Sequence, residues 1–234
     1  MAIQYNLEPL AAMDIFYGGK TNGVSKSELI KFSKESGYDI PPLLFEFLEK
    51  YAYLDVNKGQ LSFFHPKDIR LTDVPFEDGY ADIMVAGVSG GEIIFWDRHV
   101  METLEQLDDK RQIIGVDLFS DDLKIIYGHA MNGKLFWTMS ANETLSGLFR
   151  LMFLTALKNM DRYIYEGRAI DDVLKTHGAE RSRIMPSEGN VQRHSINYDE
   201  DGHTFLVAEF DLFDDECITT LQVIPHIGEK KQFT

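Results

Sequence analysis

The stretch IPPLLFEFLEKY, residues 40–51, sets the expectation for the fold. Its two prolines suit the first turn of a helix, where a missing N–H costs no hydrogen bond. The positions that follow at helical spacing are apolar: Leu44, Phe47, Leu48 and Tyr51. This spacing predicts a helix with one apolar stripe that packs against a core.

Segments on both sides of this helix extend the pattern. Ahead of it, Ser25 and Glu28 form a capping box, and Gly37 suits the left-handed end of the helix that the box opens. After it, residues 57–59 provide turn chemistry and residues 60–64 alternate as in a strand. A winged helix-turn-helix shares this helix–helix–strand order, but its recognition helix needs positive charge that this sequence lacks.

The middle of the chain predicts a sheet and a long helix. Apolar runs indicate strands at residues 83–86, 92–96, 112–116, 124–127 and 134–138, and later at 205–210 and 217–224. Glycines in residues 87–91 predict a turn, and Asn132-Gly133 predicts a hairpin. A second capping box, from Ser140 to Glu143, predicts the start of a helix that extends to Leu157.

This order predicts an α+β fold in two parts. N-terminal helices pack on a mostly antiparallel sheet closed by the long helix, in a domain of residues 1–160. Residues 161–234 are expected to form a C-terminal extension of one helix and a β-hairpin, packed on that domain. Shorter helices at residues 6–16 and 170–175 and a loop over residues 179–197 complete the expectation.

Acidic residues dominate the charge. The formal net charge of -15 disfavours a nucleic-acid partner and favours a basic protein partner. Lysine and arginine are absent between Arg70 and Arg98, and again between Arg193 and Lys230. The acid-only segments predict a partner-binding face made of Glu77, Asp78, Asp82, Glu92, Asp97, Asp199, Asp201, Asp211, Asp214 and Asp215. The alternative is that these carboxylates only keep the chain in solution.

The sequence also indicates a cytoplasmic protein without a membrane span. Its one cysteine, Cys217, excludes an intrachain disulfide and suits a reducing compartment. The position of Cys217 among strand residues predicts a buried, unreactive thiol. No N-terminal export signal is visible, and the apolar run over residues 148–157 is too short for a bilayer. The sequence does not fix the oligomeric state.

No catalytic arrangement stands out. Ser89 lies in a G-x-S-x-G pattern, which requires a strand before the serine and a helix after it; the strand predicted at residues 92–96 favours a turn instead. Residues 197–202 resemble half of a calcium loop, but Ala208 replaces the glutamate required at its end, so a hairpin turn is favoured. The seven histidines show no metal-ligand spacing. We therefore expect no enzyme, no cofactor and no metal.

The region from about residue 22 to residue 160 resembles the SUKH superfamily. The features that carry the resemblance are, in chain order, the capped helix that ends at Gly37, YDIP (residues 38–41), Phe47-Leu48, FHPKDI (residues 64–69), Phe95-Trp96, Trp137 and the helix over residues 145–157. The family's usual Asn-Gly is spread here into Asn57-Lys58-Gly59. Residues beyond about 161 have no clear counterpart.

The resemblance implies an α+β fold with a cleft used for protein binding. Many bacterial members are immunity proteins that neutralise toxins, often nucleases, and eukaryotic members act as regulatory scaffolds. We therefore expect a non-catalytic protein-binding module, first of all an immunity protein that neutralises a basic toxin. Two alternatives stay open: a hydrolase that uses Ser89, and a general regulatory interaction scaffold.

Overall fold

A computed structural model describes residues 2–37, 40–53, 61–63, 70–73, 81–89, 111–117, 123–131, 134–187 and 193–226 of the chain. The chain divides into two compact units: a terminal unit of residues 1–19 and 146–234, and a middle unit of residues 20–145. This division differs from the predicted domains of residues 1–160 and 161–234, because both ends of the chain contribute to one sheet.

In the described residues, five α-helices and two antiparallel sheets form an α+β fold, as the sequence predicts. The helices are α1 (Pro9–Phe16), α2 (Lys26–Ser36), α3 (Pro42–Tyr51), α4 (Leu145–Leu157) and α5 (Ala169–Thr176). The strands are β1 (Ile3–Gln4), β2 (Leu61–Phe63), β3 (Arg70–Asp73), β4 (Ala81–Ser89), β5 (Arg111–Asp117), β6 (Lys124–Met131), β7 (Lys134–Thr144), β8 (Tyr163–Glu166), β9 (His194–Asp199), β10 (Thr204–Phe210) and β11 (Ile218–Pro225). None of the helices in this part of the chain is long and apolar enough to cross a membrane.

The first two helices of the middle unit confirm the local signals. Both bonds of the Ser25–Glu28 capping box form at the start of α2, and Gly37 ends the helix at φ +76°. A proline begins α3, whose buried stripe is the predicted one. The Val24 N–H donates to the Leu48 carbonyl over 2.8 Å, which ties the segment before α2 to the end of α3.

The sheet of the middle unit has the order β2-β4-β5-β6-β7, and β3 also pairs with β4. The hairpin predicted at Asn132-Gly133 is confirmed, since Met131 pairs with Lys134 across β6 and β7. The turn predicted over residues 87–91 is wrong at its start. Residues 87–89 continue β4 and pair with β5. A glycine such as Gly87 can be accommodated inside a paired strand.

The second predicted capping box is also wrong. Ser140 and Glu143 lie in β7, which continues to Thr144 opposite Lys124. α4 therefore begins at Leu145, whose N–H donates to the Leu123 carbonyl over 3.0 Å. These residues lie in an irregularity of the β6–β7 pairing, between Met139 opposite Ile126 and Thr144 opposite Lys124, so the longer strand replaces the predicted start of the helix.

The sheet of the terminal unit has the order β1-β9-β10-β11-β8. One face carries Leu206, Leu221 and Val223, which form a core with Ile170 and Leu174 of α5. The other face carries Phe205, whose ring lies 5.4 Å from Phe153 of α4 and 6.2 Å from Phe16 of α1. The sheet is thus covered on both faces, which explains why β10 is almost entirely buried.

Residues 2–7, the N-terminal strap, complete this unit. Asn6 adopts a left-handed backbone conformation at φ +50°, which asparagine tolerates better than most residues. Its N–H donates to Asn197 Oδ1 over 3.0 Å, and its Oδ1 accepts hydrogen bonds from the Ser195 hydroxyl and the Met185 N–H. The strap therefore supplies hydrogen-bond partners to buried polar groups of β9.

The structure also revises the loop predicted over residues 179–197. Arg181–Arg183 form a short 3₁₀ helix, and β9 begins at His194. All six residues of β9 are buried although four of them are polar. Ile196 and Tyr198 alternate with Ser195, Asn197 and Asp199, and these three polar side chains are buried as well because hydrogen bonds satisfy them.

Candidate partner-binding surface

Four of the five predicted binding residues in the first acidic segment lie outside the described residues: Glu77, Asp78, Glu92 and Asp97. Asp82 is in β4, where its backbone pairs with Thr72 of β3 on one side and Asp117 of β5 on the other. The acidic residues Asp82 and Asp117 thus stand opposite each other in the sheet register.

Asp199 differs from the other predicted residues because it points into the protein. It is 5% exposed and lies 2.8 Å from His177 Nδ1 through its Oδ2. Its Oδ1 accepts the Gly202 N–H over 3.0 Å. Burial would raise the pKa of Asp199, but the hydrogen bonds from His177 and Gly202 and the charge of His177 together hold this pKa below its ordinary value. Asp199 is therefore a structural carboxylate and does not belong to an exposed acidic face.

The remaining predicted residues lie at two separate places. Asp201 is exposed in the turn between β9 and β10, whereas Asp211, Asp214 and Asp215 lie in the connection between β10 and β11. Since β10 runs between the two turns, they are roughly 20 Å apart along the strand direction. The acid-only segment around β10 therefore does not form one continuous patch.

The connection between β10 and β11, residues 211–217, is named the acidic loop. It holds four carboxylates in seven residues. Asp211 Oδ1 accepts the Phe213 N–H and Asp214 Oδ1 accepts the Glu216 N–H, each over 2.9 Å. The Asp211 N–H donates to the Cys217 carbonyl over 2.9 Å and closes the loop. These side-chain-to-backbone bonds define the loop conformation locally.

Arg193, which directly precedes β9, binds the acidic loop through its guanidinium group. Its Nη1 donates to the carbonyls of Asp211 over 3.1 Å and Leu212 over 3.2 Å. Its Nη2 forms an ion pair with the Asp215 carboxylate. One guanidinium thus holds two backbone carbonyls and one carboxylate of the loop, while the loop keeps a net negative charge.

The two apolar residues of the acidic loop are largely exposed. Leu212 is 62% exposed and Phe213 is 94% exposed. The Phe213 side chain in particular contributes little packing within the chain, and aromatic residues are enriched at binding interfaces. Sequence reasoning missed Leu212, Phe213 and Arg193. The signal for the first two was present, as an apolar pair between acidic residues of a predicted turn.

Metal-binding groups and cavities are the next features of the described part of the chain. No group of three or more His, Cys, Asp or Glu side chains there could hold a metal ion. A hollow between α4 and the sheet, next to Leu151 and Gln222, has a volume of about 30 Å³. That volume holds about one water molecule and is far below that of a metabolite pocket.

Two further predictions concern single residues. Cys217 is exposed at the end of the acidic loop, so the predicted buried thiol is wrong; β11 begins one residue later, at Ile218. Ser89 ends β4, which gives it a strand on its N-terminal side. The residues after Ser89, on which the nucleophile-elbow interpretation depends, lie outside the described residues.

Comparisons with known proteins complete this description. Scans against protein-family models, curated proteins and solved structures found no match to this chain.

Proposed function

We propose that this chain is a non-catalytic protein-binding module, and that it acts as an immunity protein by binding and neutralising a basic toxin. The observation that carries the proposal is the acidic loop on a chain with a formal net charge of -15. The loop presents carboxylates at the surface in a conformation fixed by hydrogen bonds. A basic protein is the partner whose charge complements such a surface.

The resemblance of residues 22–160 to the SUKH superfamily supports the choice of a toxin as that partner. The order α2, α3, β2 and then further strands before α4 agrees with the order that the resemblance implies. Nuclease toxins bind phosphate backbones and therefore carry positive charge. An acidic immunity protein would capture such a toxin rapidly, because complementary fields raise the association rate.

Co-expression with the product of the neighbouring open reading frame tests this proposal. If that product is toxic, we expect the chain to co-purify with it and to restore growth. Charge reversal at Asp214 and Glu216 should slow association, and the same reversal at Glu77, Asp78 and Asp82 tests the other acidic segment. A non-toxic neighbour that does not co-purify, or association that is insensitive to salt and to every reversal, would contradict the immunity role.

The hydrolase alternative has one specific observation in its favour, which is the strand that ends at Ser89. A nucleophile elbow begins with such a strand. A fluorophosphonate probe distinguishes the alternatives, because it labels an activated serine and leaves an ordinary one unmodified. Labelling that is lost in Ser89→Ala would favour a hydrolase. An unlabelled chain that still captures its partner would favour the binding module.

A further inference from the structure

We propose that Leu212 and Phe213 form a hydrophobic anchor that inserts into an apolar pocket of the partner, and that lysine or arginine side chains border this pocket. This inference rests on the proposed function and specifies the surface that performs it. Phe213 is the most exposed of the large hydrophobic side chains in the described residues, at 94%.

The acidic loop positions this anchor before any partner arrives. The Phe213 N–H is bound to Asp211 Oδ1, and the Leu212 carbonyl is bound to Arg193. A backbone fixed at both apolar residues loses little conformational freedom when the anchor is buried. Preorganisation of this kind distinguishes a binding loop from an exposed apolar residue in a mobile segment.

Charge determines which partner fits. Asp211 and Asp214 flank the apolar pair in sequence, and Asp215 and Glu216 follow. Only Asp215 is neutralised by Arg193 through its side chain in the described residues. A second copy of this chain would bring the same acidic loop and repel it, so the partner is a protein with basic side chains around its pocket.

The test uses the full chain and the co-purified partner, with association and dissociation rates measured separately. Phe213→Ala should raise the dissociation rate, with Kd higher by a factor of about 30 or more, as for a buried aromatic anchor. Asp214→Asn together with Glu216→Gln should instead slow association and flatten its salt dependence; the asparagine amide oxygen would keep an acceptor for the neighbouring N–H. Thermal unfolding verifies that each variant is folded.

Tyr163→Ala is the matched control, because Tyr163 is 60% exposed on β8, away from the acidic loop. It should leave both rates unchanged. A fluorophore on Cys217, the chain's one cysteine, reports directly on burial of the loop in the complex.

The outcomes separate the two proposals. A captured toxin whose rates do not respond to Phe213→Ala would overturn the anchor and leave the immunity role intact. The same holds if Tyr163→Ala weakens binding as much as Phe213→Ala does. Self-association of the free chain through the loop, seen by analytical ultracentrifugation, would identify a second copy as the occupant and overturn the basic partner. Failure to capture any product of the neighbouring gene removes both proposals.

Discussion

At one end of β10, the turn of residues 199–204 directs the Asp199 carboxylate inward to His177. At the other end, the acidic loop keeps Phe213 and its acidic neighbours at the surface. Both turns are rich in acidic residues, and both use aspartate side chains to bind backbone N–H groups. The difference lies in the second partner. His177, at the end of α5, binds the Asp199 carboxylate inside the protein. Arg193 binds backbone carbonyls of the acidic loop, and the loop stays exposed.

A sequence rich in acidic residues therefore need not form an acidic surface. A carboxylate that finds a histidine and a backbone N–H inside the protein stabilises the fold. A carboxylate that binds only its own turn remains available to a partner. Three substitutions and a change of pH test this difference.

Asp199→Ala should have the largest effect. It removes the hydrogen bonds to His177 and Gly202 from a buried position, and we expect a loss of about 2–3 kcal/mol in the free energy of unfolding. Urea denaturation measures it. Asp201→Ala in the same turn is the control, and should change stability by no more than about 0.5 kcal/mol because Asp201 is exposed. Equal effects at the two positions would remove the distinction between inward and outward carboxylates.

Gly202→Ala should be the next largest. A Cβ at this position would lie 2.5 Å from Asp199 Oδ2, so the carboxylate must move away from His177. We expect a cost of about 1–2 kcal/mol, typical of overpacking at a constrained site. In the Asp199→Ala background the same substitution should cost much less, since the colliding carboxylate is gone. Additive costs in this double-mutant cycle would show that the collision is unimportant.

Acid should weaken the buried turn by a smaller amount. The pKa of Asp199 is below its ordinary value of 3.8 in the folded protein, so the unfolded chain binds the proton more readily. The stabilisation is therefore complete above about pH 5 and is lost progressively as the pH falls through the unfolded and then the folded pKa. Unfolding measured between about pH 6 and pH 2 should show a steeper loss for the wild type than for Asp199→Asn. Parallel curves would contradict this assignment.

Arg193→Met should have the smallest effect on global stability, about 1 kcal/mol or less, because Asp215 is largely exposed and the bonded carbonyls can turn to water. The main effect of this substitution should be on the stability of the acidic loop itself. Amide hydrogens of residues 211–217 are expected to exchange faster, while those of β10 stay protected. Asp215→Asn, which removes only the ion pair, should accelerate this exchange less. Unchanged exchange in both variants would mean that Arg193 does not hold the loop.

Local signals in the sequence predicted the elements that local chemistry determines. The capping box at Ser25, the helix end at Gly37 and the Asn132-Gly133 hairpin depend on residues within a few positions of each other. Predictions failed where a strand extended through a local helix signal, as at Ser140 in β7. Sequence reasoning also missed β9, because its buried polar side chains are satisfied by Asn6 and His177, which no local pattern reveals.

The candidate site follows the same rule. The acidic character of residues 211–216 was evident from composition, but composition could not distinguish Asp199 from Asp214. Their roles depend on His177 and on the loop backbone, respectively. Sequence reasoning could not identify Arg193 as the residue that holds the loop. Arg193 is distant from the loop in sequence, and the pairing of β9 with β10 brings it close.

The N-terminal strap also has a consequence for the order of events on the ribosome. Residues 2–7 are synthesised long before Ser195 and Asn197, to which Asn6 bonds. The middle unit has all of its own residues once residue 145 has left the exit tunnel, so it is free to fold while the strap waits. A chain released by a stop between residues 146 and 210 would therefore retain the residues of the middle unit and lack the acidic loop. Under the proposed function, protection would begin only after the acidic loop has been synthesised.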